Sequence, residues 1–596
     1  MATKAGSVRS PSKPSPGLDI FKTPENARFY SANMYKSLDA SKREIRLIEL
    51  STQTGGGILE CKLLPATLLT DARKQYLALS YCAGEPTDTN DIRVNGVRCN
   101  IFANLHHALV LARRYWIRSS RQTPLRLWID QLCINQQDLK ERSHQVGFMR
   151  DIYQGAERTL ACLSASKTSG RGMKWLIDLC DAVPSEEDDK PFEYDREDEA
   201  DNEDNTNSRD DFGKSKETSN TFKSECVGGD KQQWFRIRDY LWDSMHIEKF
   251  VNGWIAFYDV LSSPWWNRAW ICQEFLVSSQ VTFMFGNHFV SWEQCWRIMQ
   301  AFCGIHRYVL INRNHFLERK NLSVDCPGDR QLCRILNIVH ERDLNRQVDH
   351  VGMALKMKIR WGGSMDIKAL LSHSRFCRSS DDRDRVYAIV GLASPGYQIF
   401  PDYSHDMTAA QVMIMTTQAI IEKENSLYIL AQATALVRSR NLDVPSWVVD
   451  WTSTEASDIR DNHPGNRLFY RLSCIPQESP EHTFETITDT FQQAQAHILR
   501  VYGKFITKIW LDTKKWPFAG FYSAQGWQGQ ALASITDRDE LWILHGLRVP
   551  IILRPYRDGY QVVSCAFLTR QRGKGFGIPV ISIVEGRANM SRITLY

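Results

Sequence analysis

None of the fifteen cysteines forms a C-x-x-C pair or stands beside histidine at a zinc-finger spacing, so no metal site is expected and the odd, scattered set reads as reduced thiols. No apolar run approaches the roughly 18 residues that span a bilayer. No N-terminal stretch joins a basic head to an apolar run and a small-residue cleavage site. A cytoplasmic protein without a membrane span is the expectation. The opening MATKAGSVRSPSKPSPG is basic and Ser-rich, but Pro11, Pro14 and Pro16 would break a presequence helix, and it reads as a disordered tail. A Lys/Arg block is also missing. The net charge of +5 divides into −11 over residues 186–211 and +16 spread through the rest. Such dispersed charge describes a solvated surface, and no nucleic-acid partner is inferred.

With 43% hydrophobic residues, eighteen Trp and twenty-six Phe in 596 residues, the chain has the apolar surface of a globular protein with several domains. IRLIEL (45–50) and ILECKLL (58–64) flank a Gly-rich loop as a hairpin. YLALSY (76–81), LRLWI (125–129) and TLACL (159–163) read as buried strands. Asn95 and Gly96 suit a type I′ turn. Leu105, Leu109, Ala112 and Trp116 recur at helical spacing, and Asp138 with Glu141 forms an N-cap pattern for a helix reaching about Tyr153. Strand and helix alternating in this way predict a parallel sheet with crossover helices, with Asp130 and Ser164 at strand ends. Residues from Pro184 to about Lys231 lack apolar anchors and are expected to be disordered. Ser263 and Pro264 open a predicted helix, WWNRAWICQEFLVS, in which Trp270 and Glu274 share a face. The second half reads as helices to about 430, then strands.

Three segments, YLALSYCAGEP (76–86), LWIDQLCINQQDLKERSHQVGFMRDIYQGAERTLACLS (127–164) and PWWNRAWICQEFL (264–276), resemble the fungal heterokaryon incompatibility (HET) domain in order, spacing and content. Cys82 and Ala83 depart from the family pattern, which has a small or apolar residue and then Trp before the Gly kept here as Gly84. DDRDRVYAIVGLA (381–393), PDYS (401–404), VPSWVVDW (444–451) and ELWILHGLRVPIILRP (540–555) look like segments that follow HET domains in long family members. The resemblance implies a tail and lead-in over 1–44, a HET domain over 45–280 interrupted at about 185–231, and an α+β, largely helical region over 290–596. It implies a role in vegetative incompatibility, with non-self recognition, an incompatibility partner protein, programmed cell death and a candidate homo-oligomer.

HET domains are similar, remotely, to the Toll/interleukin-1 receptor (TIR) fold, and relatives with that fold cleave NAD with one Glu in a W-C-x-x-E-L segment that RAWICQEFL resembles. The resemblance makes Glu274 the candidate catalytic carboxylate, NAD the candidate substrate, and no bound cofactor. A carboxylate stabilises the oxocarbenium-like ribose as nicotinamide leaves. The competing reading is a partly exposed Glu274 paired with a surface base such as Arg268, in a non-catalytic signalling adaptor. Ser80, Asp130, Asn135, Arg142 and Trp270 complete the candidate ligand-binding set. Asp130 either orients a ligand hydroxyl or caps its loop through Asn135. Arg142 either meets phosphate or pairs with Asp138, Trp270 either stacks on a base or packs in the core, and Cys133 with His144 lacks the third group a thiol nucleophile needs.

Overall fold

The computed structural model describes residues 20–32, 34–53, 57–165, 168–183, 231–311, 327–433, 442–452, 481–489, 494–515, 518–532, 534–547, 549–571 and 590–596. The expected tail before residue 20 and most of the acidic insertion lie outside the described residues. The chain forms two compact units, Met1–Trp361 and Gly362–Tyr596.

The first unit is built on a nine-stranded sheet. Its strands are β1 (Ile48–Leu50), β2 (Leu59–Leu63), β3 (Leu77–Ser80), β4 (Thr89–Val94), β5 (Val97–Phe102), β6 (Leu125–Trp128), β7 (Arg158–Cys162), β8 (Val281–Phe285) and β9 (His288–Ser291). They lie in the order β9-β8-β7-β3-β6-β1-β2-β4-β5. The central strands β7, β3 and β6 are mutually parallel, as the alternation predicts, and β8, which the sequence pattern does not mark, adds to them in parallel beside β7. The sheet as a whole is mixed, because β8 pairs antiparallel with β9, β1 with β6 and β2, and β4 with β5. Short turns dictate two of these pairings, β8 with β9 and β4 with β5, since two residues can join only antiparallel neighbours. Asn95 (φ 50°) and Gly96 (φ 80°) make the turn between β4 and β5, as their type I′ tolerance requires.

The helices are α1 (Pro24–Ser31), α2 (Ala103–Arg118), α3 (Leu139–Gly147), α4 (Met149–Gly155), α5 (Arg171–Ala182), α6 (Lys231–Asp243), α7 (Glu248–Leu261), α8 (Trp292–Ile311), α9 (Pro327–Glu341) and α10 (Leu344–Ile359). Leu105, Leu109, Ala112 and Trp116 bury the core face of α2. The single helix expected over 138–153 is two, broken at Phe148 (φ −128°, ψ 22°). Gly147 weakens the helix by roughly 1 kcal/mol relative to Ala, and the break lets Phe148 join Val146, Met149 and Tyr153 in the core. The lead-in is tied down: Phe29 is buried, Asn26 exchanges hydrogen bonds with the Asn100 backbone, and Tyr35 Oη donates to Leu132 O at 3.1 Å.

In the second unit, α11 (Ile367–Ser374), α12 (Asp384–Val390) and α13 (Ala409–Glu424) precede a six-stranded and a four-stranded sheet, so helices then strands appear in the expected order. The charges of DDRDRVYAIVGLA act as staples. Asp384 accepts from Tyr403 Oη at 2.6 Å, and Arg385 Nη1 donates to the carbonyls of Ser374 and Cys377 at 3.0 and 2.6 Å. Trp447, Val448, Val449 and Trp451 of VPSWVVDW are fully buried. No described helix is long and apolar enough to cross a membrane.

Candidate functional site

From β3 the chain moves to β6 on one side, then returns to β7 and β8 on the other. The strand order thus reverses beside β3, and in open α/β sheets ligand crevices lie beyond the carboxyl ends of strands at such a point. Ser80 is the last residue of β3. Its hydroxyl donates to Glu274 Oε2 and accepts Trp265 Nε1–H at 2.6 Å. Arg268 grips the same carboxylate with both arms, Nη1 to Oε2 at 2.8 Å and Nη2 to Oε1 at 2.9 Å.

This geometry corrects two expectations. Glu274 is 1% exposed and its partner's side chain only 17%, so the pairing with Arg268 is right but a surface pair is wrong. Nor is WWNRAWICQEFLVS one helix. A short 3-10 turn, Pro264–Asn267, capped by the Ser263 hydroxyl, gives way to extended backbone at Arg268 and then a π-helical turn, Cys272–Leu276. In a continuous α-helix residues six apart sit about 9 Å along the axis and roughly 120° around it, out of reach of a two-armed contact. The break folds Arg268 back onto Glu274 and buries both Trp265 and Trp266. π-turns recur at functional sites.

Burial pushes the Glu274 carboxyl above its ordinary pKa, opposed by Arg268 and the Ser80 hydrogen bond. Burial would lower Arg268, but Glu274 more than reverses this and the guanidinium stays charged. Asp130 follows β6; its Oδ1 accepts from Tyr81 Oη at 3.2 Å and from Gln131 N at 2.7 Å. Burial, then the Asp130 charge, raises the Tyr81 phenol.

The structure therefore joins Ser80 directly to Glu274 and brings Asp130 to the same edge. Asn135 and Arg142 make none of the hydrogen bonds to the Glu274 carboxylate among the described residues. Asn135 Oδ1 caps its own turn through Gln137 N, and the loop contact to Asp130 runs from Gln136 Nε2 to its carbonyl at 2.7 Å, so the expected cap through Asn135 is replaced by its neighbour. Trp270 is half-buried and its carbonyl receives Glu274 N–H at 3.1 Å; the tryptophan on the Ser80 hydroxyl is Trp265. Cys133 is buried, which pushes its thiol up to about 12, an inert state.

Glu141 also departs from its sequence role. Asp138 caps α3 through Lys140 N and Glu141 N, but Glu141 turns away to pair with buried Arg46, at 2.6 and 3.0 Å, and to accept Asn135 N–H at 2.7 Å. Glu141→Gln therefore goes beyond weakening a helix start. Leaving Arg46 uncompensated should cost about 3–5 kcal/mol, against ~1 kcal/mol for a lost cap, and urea unfolding of parent and variant measures the difference.

One further helix holds the site. Gln347 of α10 donates to Leu261 O at 2.7 Å and His350 Nε2 to Trp266 O at 2.8 Å, while Lys358 Nζ donates to Leu276 O at 3.0 Å and to Ser278 O. Burial lowers the Lys358 amine to about 8, opposed by Glu293. Sequence reasoning missed these three residues; they lie some 80 positions downstream of what they hold and carry no motif.

The first unit is thus an α/β domain with a buried arginine–carboxylate pair at the carboxyl edge of its central parallel strands. Residues 76–274 match the family model described as heterokaryon incompatibility protein (HET). That segment, about a third of the chain, is where the resemblance to the HET domain lies. It is similar to heterokaryon incompatibility protein 6, OR allele, of Neurospora crassa, with 26% identity over 461 residues, 71% of this chain and 61% of the relative. The match therefore spans about three-fifths of that relative's length. No solved structure matches the chain.

Proposed function

We propose that this chain acts in vegetative incompatibility, its HET domain serving as the effector of a cell-death response to a non-self partner protein. In this reading the domain is TIR-like and cleaves NAD: water and NAD yield nicotinamide, ADP-ribose and a proton. Glu274 faces the oxocarbenium-like ribose as the glycosidic bond breaks. The supporting observation is the convergence of Glu274, Ser80 and Asp130 on the carboxyl edge where the strand order reverses. A buried carboxylate raised above its ordinary value at such a position is a candidate for chemistry. Catalysis requires Arg268 to release the carboxylate, so the ion pair is the resting state, and homo-oligomer formation is a candidate trigger.

The saturated pair also favours a second reading, in which Glu274 is a structural keystone of an adaptor that recruits death machinery by protein contacts. Purified full chain incubated with NAD decides. Nicotinamide and ADP-ribose should accumulate in equal amounts; their absence at every protein concentration tried would favour the adaptor.

A further inference from the structure

A second feature of the same sheet edge lies one and two strands away, beyond β7 and β8. A cavity of about 230 Å³ there is lined by Asn90, His106, His107, Arg114, Thr168 and Asn287 among others, none of them acidic. His107 Nε2 lies 3.1 Å from Ser164 Oγ, which accepts Gly286 N–H at 3.1 Å, so the wall is pinned to the ends of both strands. Arg114 is held across the mouth by donating to Asn287 Oδ1, and Arg118 donates to Asn287 O at 2.9 Å. Among the described residues, Arg113, Arg114 and Arg118 of α2 form no ion pair with a carboxylate, although Arg46, Arg121 and Arg268 of the same unit do. Uncompensated cations beside a polar concavity concentrate anions there.

We propose that this cavity is a binding subsite for a phosphoryl group, with Arg114 as its fixed charge and His106 and His107 as donors that gain protons when the anion arrives. The volume is below the roughly 300–1,000 Å³ of pockets that enclose a whole drug-sized ligand. It therefore seats the phosphoryl end of a larger molecule and leaves the remainder outside the cavity. Arginine and histidine suit this task, because both offer planar N–H donors to a tetrahedral oxyanion. The groups facing the two histidines are Arg113 and Arg114 on their own helix, each other, and the uncharged Ser164, Thr168 and Gly286–Asn287 walls. Burial first, and then these arginines, lower both imidazoles below the ordinary value. An incoming dianion reverses the arginine contribution. By linkage, binding strengthens as pH falls through the interval between the complexed and the free imidazole pKa values, and is flat above it. The subsite is independent of any cleavage at Glu274.

Sulfate is the cleanest probe, since it stays dianionic from pH 6 to pH 8 while inorganic phosphate does not. Isothermal titration of the full chain should give sulfate affinity severalfold tighter at pH 6 than at pH 8, because the bound dianion raises the two imidazoles that burial and the arginines lower in the free protein. Arg114→Met, on an exposed helix position, should lose tenfold or more at both values with unchanged circular dichroism. ADP should displace sulfate and adenosine should not. Arg334→Met, on α9, should bind like the parent. Sulfate binding that is absent, equal at the two pH values, or unaffected by Arg114→Met overturns the subsite. None of these outcomes bears on nicotinamide release, which tests Glu274 separately.

Discussion

Replacing Glu274 with Gln should abolish NAD consumption and cell death, and should also destabilise the domain. The carboxylate is enclosed and doubly bonded to Arg268, so neutralising it strands a buried guanidinium at a cost of about 3–5 kcal/mol. Loss of a transition-state charge separately costs on the order of 10²-fold or more in rate. A drop in activity alone would therefore confuse unfolding with chemistry. The double variant Glu274→Gln/Arg268→Met separates them. Removing both charges should restore most of the lost stability, because no buried charge is then left without its partner, whereas nicotinamide release should stay at background. Denaturant midpoints and nicotinamide yield, read on parent, single and double variants, form the test. A double variant that is stable and still cleaves NAD would make Glu274 purely structural.

The second large effect concerns where the chain can be cut. Ending it at residue 290, just beyond the domain boundary that the sequence suggests, should yield insoluble or unfolded protein, whereas residues 1–361 should fold. The shorter piece loses the donors of Gln347, His350 and Lys358 to four carbonyls at Leu261, Trp266, Leu276 and Ser278. At ~1–3 kcal/mol for each buried group left unsatisfied, that loss alone rivals the ~5–15 kcal/mol that holds a domain together. It also uncovers the apolar surface packed by Ile298, Phe302, Val348, Val351 and Leu355. Soluble yield and circular dichroism report folding, and expression in a fungal host reports killing. If residues 1–290 prove soluble and toxic while 1–361 adds nothing, α8 to α10 are dispensable.

The elements most legible in the sequence are those whose signal is local. The Asn95-Gly96 turn, the apolar stripe of α2 and the strands β3, β6 and β7 all follow from nearest-neighbour spacing, and each stands where it was expected. Ser80 and Glu274 were legible as residues, through the resemblance, but their contact was not. It joins positions 194 apart, and periodicity carries no information over that distance. The failures share a cause. Helical spacing treats 264–278 as one rod and Glu141 as a reciprocal cap, yet in both places a buried arginine redirected the chain or the side chain. Arg268 broke the rod to reach Glu274, and Arg46 drew Glu141 from its cap. A buried cation must find its anion whatever the local propensity prefers.

The grip of α10 on the 261–278 segment bears on how such proteins diversify. The match to the family model ends at Glu274, whereas closure of the fold comes only with the helix that follows some 70 residues later. An exchange between two relatives with its junction at the edge of the recurring segment would hand those four carbonyls to an unfamiliar helix. A junction beyond Trp361 would carry lock and bolt together. Inherited variation in this domain should therefore travel in blocks longer than the segment by which the family is recognised.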